Sequence, residues 1–271
     1  MNERFSRQSF LGPSSEKALA TLSIGIVGLG GGGSHVVQQL AHLGVGGFTL
    51  LDPDCIDSSN LNRLIGGTER DVGKKKTKVS IANRLVKAIN PKAIVIAKSV
   101  KWQESAEHLR DCDVIVGCVD SFAGRDELER MARRFIIPYV DIGMDVHESG
   151  GRYSITGQVA VSLPDGPCLH CMSVLTPDLL SREAAQYGQA GPRPQVVWPN
   201  GILASVAVGL VVALVTPWDQ TMKLPRLVEY DGNVPEVRPS SSASFLADRQ
   251  CPHFNRPEDI GDPWFQLKAE D

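Results

Sequence analysis

The sequence lacks a bilayer-spanning run of apolar residues: its longest, residues 202–215, is too short to cross a membrane and reads as a buried helix. The opening MNERFSRQSFLG is too polar to read as a signal peptide, and the expectation is a cytoplasmic protein with no membrane partner. Positive charge is not in excess. With 28 Lys and Arg against 31 Asp and Glu the net charge is -3, which argues against a nucleic-acid partner. There is no internal repeat and no long low-complexity tract. Cysteine is sparse, at six in 271 residues, and a reducing compartment favours metal binding over disulfides for pairs at short spacing.

What is present is alternation. Apolar runs at 23–28, 48–52, 93–97, 114–119 and 139–142 are separated by stretches with helical periodicity, such as Val36, Val37, Leu40 and Leu43. That order predicts an α/β fold, a doubly wound, Rossmann-like and mostly parallel sheet. From residue 152 the sequence YSITGQVAVSL alternates strictly and ends in the turn Pro164-Asp165-Gly166, which predicts that antiparallel strands extend the sheet. Residues 181–199, rich in Gly, Pro and Gln, read as a loop. Residues 240–271 read as a surface tail.

The stretch GLGGGG places five glycines in positions 28–33, straight after a predicted strand and before a helix. Gly28, Gly30 and Gly33 make a G-x-G-x-x-G loop, with Gly31 inside it, where backbone amides and a helix N-terminus can receive phosphate. Asp52, at the end of the second strand, can accept from ribose hydroxyls. A nicotinamide-dependent oxidoreductase would need no more than this. The next residues go further: Asp54, Asn60 and Arg63 follow in one loop, and Lys74, Lys75, Lys76 and Lys78 open the next helical region. Cations beyond a ribose site suit a triphosphate, whose developing charge must be neutralised when pyrophosphate departs.

The motifs RFSRQ (4–8), GLGGGGS (28–34), LLDPDCIDSSNLNR (50–63), DVGKKK (71–76), INP (89–91), CVDSFAGR (118–125) and CLHC (168–171) resemble, in order and spacing, the ThiF/MoeB/HesA adenylyltransferases. That family also supplies the adenylation domain of ubiquitin-activating enzymes, and QVVWPNGILA (195–204) is similar to activating enzymes of bacterial ubiquitin-like systems. The resemblance implies that ATP and Mg²⁺ are bound, with Asp52 on the ribose, Asn60 and Arg63 on the phosphates, and Asp120 positioning the magnesium. A lysine partners Arg63: counting forward from Arg63 gives Lys76, whereas counting back from Asn90-Pro91 gives Lys78, and Lys76 is the choice made here. It further implies a homodimer in which Arg7 reaches the neighbouring subunit's ATP. Residues 1–22 would then be a helical arm, 23–145 the ATP-binding region, 146–239 a mixed-sheet continuation with a crossover loop near 176–199, and 240–271 a tail.

The implied reaction is attack by the C-terminal glycine carboxylate of a ubiquitin-like, β-grasp protein on the α-phosphorus of ATP. Such chemistry needs no protein nucleophile, in keeping with site residues that are Gly, Asn, Asp, Arg and Lys. Ubiquitin-activating relatives add a loop cysteine that forms a thioester. Here no cysteine lies between Cys171 and Cys251, and the matching place is Ala190-Gly191. Either the adenylate passes to a partner's nucleophile, such as an E2-like protein, or alanine stands at 190 in place of a cysteine. A tRNA-modifying dehydratase of the same family is the alternative. Cys168 and Cys171 suit half of a structural zinc site; the resemblance implies a complement late in the chain, where Cys251 stands, and either His253 completes the site, or His170 or another group does, or zinc has been lost.

Overall fold

The computed structural model describes residues 3–185, 194–216, 218–219, 221–246, 249 and 251–254. One eight-stranded sheet runs through them in the order β3-β2-β1-β4-β5-β6-β7-β8. The strands are β1 (Ser23–Val27), β2 (Gly47–Leu51), β3 (Ile94–Lys98), β4 (Val114–Gly117), β5 (Tyr139–Ser149), β6 (Arg152–Ser162), β7 (Leu227–Asp231) and β8 (Glu236–Pro239). Pairings from β3 to β5 are parallel, and those from β5 to β8 are antiparallel. The chain therefore adopts the expected doubly wound architecture with an antiparallel extension. The sheet crosses residue 146 unbroken, inside β5.

The helices in chain order are α1 (Ser15–Thr21), α2 (Gly31–Leu43), α3 (Glu69–Gly73), α4 (Lys78–Ile89), α5 (Glu107–Arg110), α6 (Phe122–Arg134), α7 (Pro177–Ala185), α8 (Val197–Val215) and α9 (Ser241–Ser244). Period-two alternation assigns the strands' side chains to two layers. Ile24, Ile26, Val114, Val116, Val140 and Ile142 meet α2, α4 and α8 on one face. Val27, Ile115 and Tyr139 meet Leu109 of α5 and Leu128, Met131 and Ala132 of α6 on the other. β5 and β6 turn back on each other through Gly150-Gly151, both at positive φ (59° and 78°), where glycine carries no side-chain penalty.

Two elements differ from the sequence reading. Residues 177–185 form α7 rather than loop: Pro177 opens the helix, Thr176 Oγ1 accepts from Leu179 N–H (3.2 Å), and Asp178 pairs with Arg182 one turn on. The apolar helix starts at Val197, before the predicted 202, with Pro199 tolerated in its first turn. At 19 residues α8 is long and apolar enough to cross a membrane, yet half of it is buried inside the protein against α2, β5 and β6. The rest of the expected loop, including Ala190, lies outside the described residues, as does most of the tail.

The arm Glu3–Leu11 is a 3-10 helix that finishes the C-terminus of α2. Arg4 Nη2 donates to Ala41 O (3.1 Å), which also accepts from Gly44 N–H, and Gln8 Nε2 donates to Leu43 O (3.2 Å), so the arm supplies donors to carbonyls of the last turn.

Candidate nucleotide and metal sites

Strand order reverses between β1 and β4, and the crevice beyond their carboxyl ends is where open α/β sheets bind ligands. A cavity of about 1300 Å³ occupies that place. Gly28 turns the chain out of β1 with φ +86°, and a Cβ there would collide with the Cys118 carbonyl. The chain then enters α2, whose N-cap is Gly30 and whose N-terminus has no side-chain cap. Gly30, Gly31 and Gly32 line the cavity. Uncapped first-turn amides of a helix suit an anion, through their N–H groups and the helix dipole.

Asp52 follows β2 directly and is 4% exposed. Its Oδ2 accepts from Leu29 N–H (2.6 Å) and its Oδ1 from Asp54 N–H (2.8 Å), so its orientation is fixed by backbone. Burial pushes its pKa up, opposed by the nearby Lys78 ammonium. Lys78 Nζ lies 2.7 Å from Asp54 Oδ2 and 3.9 Å from Asp52 Oδ1. The buried Asn60 ends a 3-10 turn, Ser58–Asn60, closed by a capping box with Asp57. Arg63 is half-buried, with Nη1 donating to Ser59 O (2.7 Å) and Asn62 Oδ1 (3.0 Å). Asp120 stands three residues past β4, ahead of the Ser121 N-cap of α6. Asp52, Asp54, Asn60, Arg63, Lys78 and Asp120 all line the one cavity.

A second cluster sits behind α6. Cys168, Cys171, Cys251 and His253 bring one ligand atom each to within 4.8 Å of the others. Cys168 Sγ is 3.6 Å from Cys171 Sγ and 3.5 Å from His253 Nδ1; Cys171 Sγ is 3.7 Å from Cys251 Sγ and 3.4 Å from His253 Nδ1. Tetrahedral zinc, with Zn–S near 2.3 Å and Zn–N near 2.1 Å, requires S···S edges of about 3.8 Å and S···N edges of about 3.6 Å. The donor set and its spacing fit that ion. Sulfurs this far apart are not disulfide-bonded. Burial raises the Cys168 and Cys171 thiols, and burial with the adjacent His170 and Arg133 lowers His253. The shift of His253 favours its neutral form, the one that ligates. His170 faces elsewhere, its Nε2 at 2.7 Å from Asp126 Oδ1, and stacks on His253 at 5.3 Å between centroids. Helix α6 carries the knuckle: Glu129, fully buried, accepts Leu169 N–H through both oxygens (3.0 and 3.2 Å). Arg133 donates to Ser162 Oγ (2.8 Å) and Gly166 O (2.9 Å).

The ThiF family profile matches residues 4–252. The chain belongs to the ThiF family. It is 31% identical over 181 residues to the SAMP-activating enzyme E1 of Haloferax volcanii, covering 65% of this chain and 63% of that protein. It is 30% identical over 227 residues to the sulfur carrier protein adenylyltransferase of Thermus thermophilus, covering 79% of each. Among solved structures it resembles Escherichia coli MccB bound to ATP, with a TM-score of 0.71 at 18% identity over 93% of this chain and 73% of MccB. The chain spans under two thirds of the SAMP-activating enzyme and about half of the Bacillus subtilis ThiS adenylyltransferase.

In this ThiF-family chain the expected site residues divide. Lys76 is exposed and lines a separate depression with Asp71 and Arg84, so of the two candidate lysines it is Lys78 that lines the main cavity. The reason is local: Lys75 at φ +48° turns the chain, and Thr77 caps α4 so that Lys78 opens it beside Asp54. Gly33 does not line the cavity. A Cβ there would strike the Gly28 carbonyl, so it is a packing glycine, and Gly32 takes its expected place. Arg7 is exposed on the arm and outside the lining. Other lining residues, Asn200, Arg125 and Gln158 among them, have no role in the sequence reading. Asn200 lies over Gly31, which has no room for a Cβ against it. Arg125, itself buried, is locked to the buried Asp141 (2.6 Å), to which Tyr139 also donates (2.9 Å). Gln158 comes from β6. Arg125 left a trace as the last residue of CVDSFAGR, and Asn200 as the asparagine of QVVWPNGILA.

Proposed function

We propose that this ThiF-family chain is an ATP-dependent adenylyltransferase that activates the C-terminal carboxylate of a β-grasp, ubiquitin-like or sulfur-carrier protein. The observation that carries the reading is convergence: an uncapped helix N-terminus shares one cavity with the cations Arg63 and Lys78 and the carboxylates Asp52, Asp54 and Asp120. A dinucleotide needs Asp52 and the glycines but has no use for Arg63 and Lys78 beyond them.

In this reading Asp52 accepts from the ribose, the α2 N-terminus and Asn60 hold phosphate oxygens, and Arg63 and Lys78 flank the triphosphate. Lys78 must exchange its bond to Asp54 for the phosphates. Asp120 and neighbouring phosphate oxygens would hold Mg²⁺, which offsets charge on the departing group. One carboxylate oxygen attacks the α-phosphorus, the bond to the bridging oxygen breaks, and pyrophosphate leaves with that electron pair. The product is an acyl adenylate. Zinc, held by Cys168, Cys171, Cys251 and His253, would brace the C-terminal region against α6 without touching the reaction.

The chain would act as a homodimer with Arg7 supplied across the interface. In support, the exposed Phe10 and Trp218 stack edge to face at 6.0 Å beside Arg7's arm, an apolar patch fit for a second copy. The names of the relatives favour carrier activation, as the first step of ubiquitin-like conjugation or sulfur transfer, over tRNA dehydration. An E2-like protein is the acceptor in the conjugation case. The test is exchange of labelled pyrophosphate into ATP in the presence of candidate β-grasp proteins. Exchange that depends on an intact C-terminal glycine, and is lost in Asp120→Ala, supports the reading; no exchange with any carrier refutes it.

A further inference from the structure

Leu179 and Glu183 lie four residues apart in α7 and so share one of its faces. Leu179 lines the cavity. Glu183 reaches α6, where its carboxylate accepts from Phe122 N–H (3.0 Å) and Ala123 N–H (2.8 Å). Those amides belong to the first turn of α6, where a helix supplies no internal partners. The next donor, Gly124 N–H, is taken by Ser121 Oγ (3.0 Å). Phe122, Ala123 and Gly124 line the same cavity, separated from Asp120 only by Ser121. Helix α7 itself contains no fully buried residue, so apolar burial does little to fix it. A carboxylate on two amides at a helix N-terminus is a strong, charge-assisted contact.

We propose that Glu183 is a positioning residue for the carrier's C-terminal segment. By gripping the first turn of α6 it sets how far Leu179 stands into the cavity beside Phe122, and thereby sets one wall along which that segment must lie to reach the α-phosphorus. The residues assigned to the nucleotide sit on β1, β2, β4, the loops that follow them and the first turns of α2 and α4, and none of them is on α7, so the proposal assigns α7 to the carrier. The substrate half of the proposal rests on the adenylation reading, whereas the contact between α7 and α6 does not.

The experiment compares the full-length wild type with Glu183→Ala and Glu183→Gln in two measurements. Hydrogen–deuterium exchange of the free protein should show faster exchange at Phe122, Ala123 and residues 177–185 in Glu183→Ala. Pyrophosphate exchange should show the KM for the carrier raised roughly tenfold with the KM for Mg-ATP unchanged. Glu183→Gln, which keeps an acceptor oxygen and loses the charge, should fall between. Unchanged protection in Glu183→Ala overturns the contact. Faster exchange with an unchanged carrier KM overturns the positioning role, and so does a rise in the KM for ATP equal to that for the carrier. If the wild type exchanges pyrophosphate with no carrier, the adenylation reading and the substrate half fall together, while the protection data still decide the contact.

Discussion

Residue by residue, the cavity separates groups that the sequence leaves together. Lys76 and Lys78 are two positions apart, yet only Lys78 stands among the carboxylates of the crevice. Lys78→Ala should lower kcat/KM in pyrophosphate exchange by about 100-fold, in line with losing a cation aimed at developing phosphate charge, whereas Lys76→Ala should stay within about twofold of wild type. The glycines divide likewise. Gly30 has open space where a Cβ would go, and Gly33 has none. Circular dichroism should therefore find Gly30→Ala folded, with weakened ATP binding by calorimetry, and Gly33→Ala with a depressed melting temperature. Asp71 supplies a pH signature. Two hydrogen bonds from Arg84 (both 2.7 Å) hold its carboxyl below the ordinary range, although it is buried. A depressed acid stabilises the fold above its unfolded value, near 3.8, and loses that contribution as pH falls through the folded value. The melting-temperature deficit of Asp71→Asn should be full at pH 7 and should shrink below about pH 4.

Among the elements, α6 does two jobs from its two ends. Its first turn borders the crevice, while Glu129 and Arg133 hold the Cys168–Cys171 knuckle from within the helix. Glu129→Gln keeps the size and loses the charge facing Arg133 (3.5 Å). That change should cost about 2–3 kcal/mol of stability in urea unfolding and should lower retained zinc under mild chelation. How much of this was legible depended on where the signal was stored. Strands β1, β2 and β4 announced themselves as apolar runs, and Asp52, Asn60, Arg63 and Asp120 sat at fixed offsets from them. Helix α7 was hidden by the Gly, Pro and Gln that follow it, though Thr176, Pro177 and Asp178 form a legible helix start. Asn200 was marked only as the asparagine of QVVWPNGILA, with no role attached, and Gln158 reaches the crevice from β6 through tertiary packing with no local mark.

For the molecule as a whole, three cysteines and a histidine from segments 80 residues apart make a prediction that activity assays do not. The purified chain should carry one zinc per protomer by elemental analysis. Cys251→Ser should reduce that content and lower the melting temperature, and Asp120→Ala should leave it unchanged. The last consequence comes from the unbroken sheet. Because β5 pairs with β4 on one side and β6 on the other, the nucleotide-facing half and the antiparallel half share a strand and cannot swing about a hinge. On the proposed reaction, water would have to be kept from a labile mixed anhydride by whatever enters the open groove, so a visiting protein would serve as the stopper of its own reaction vessel.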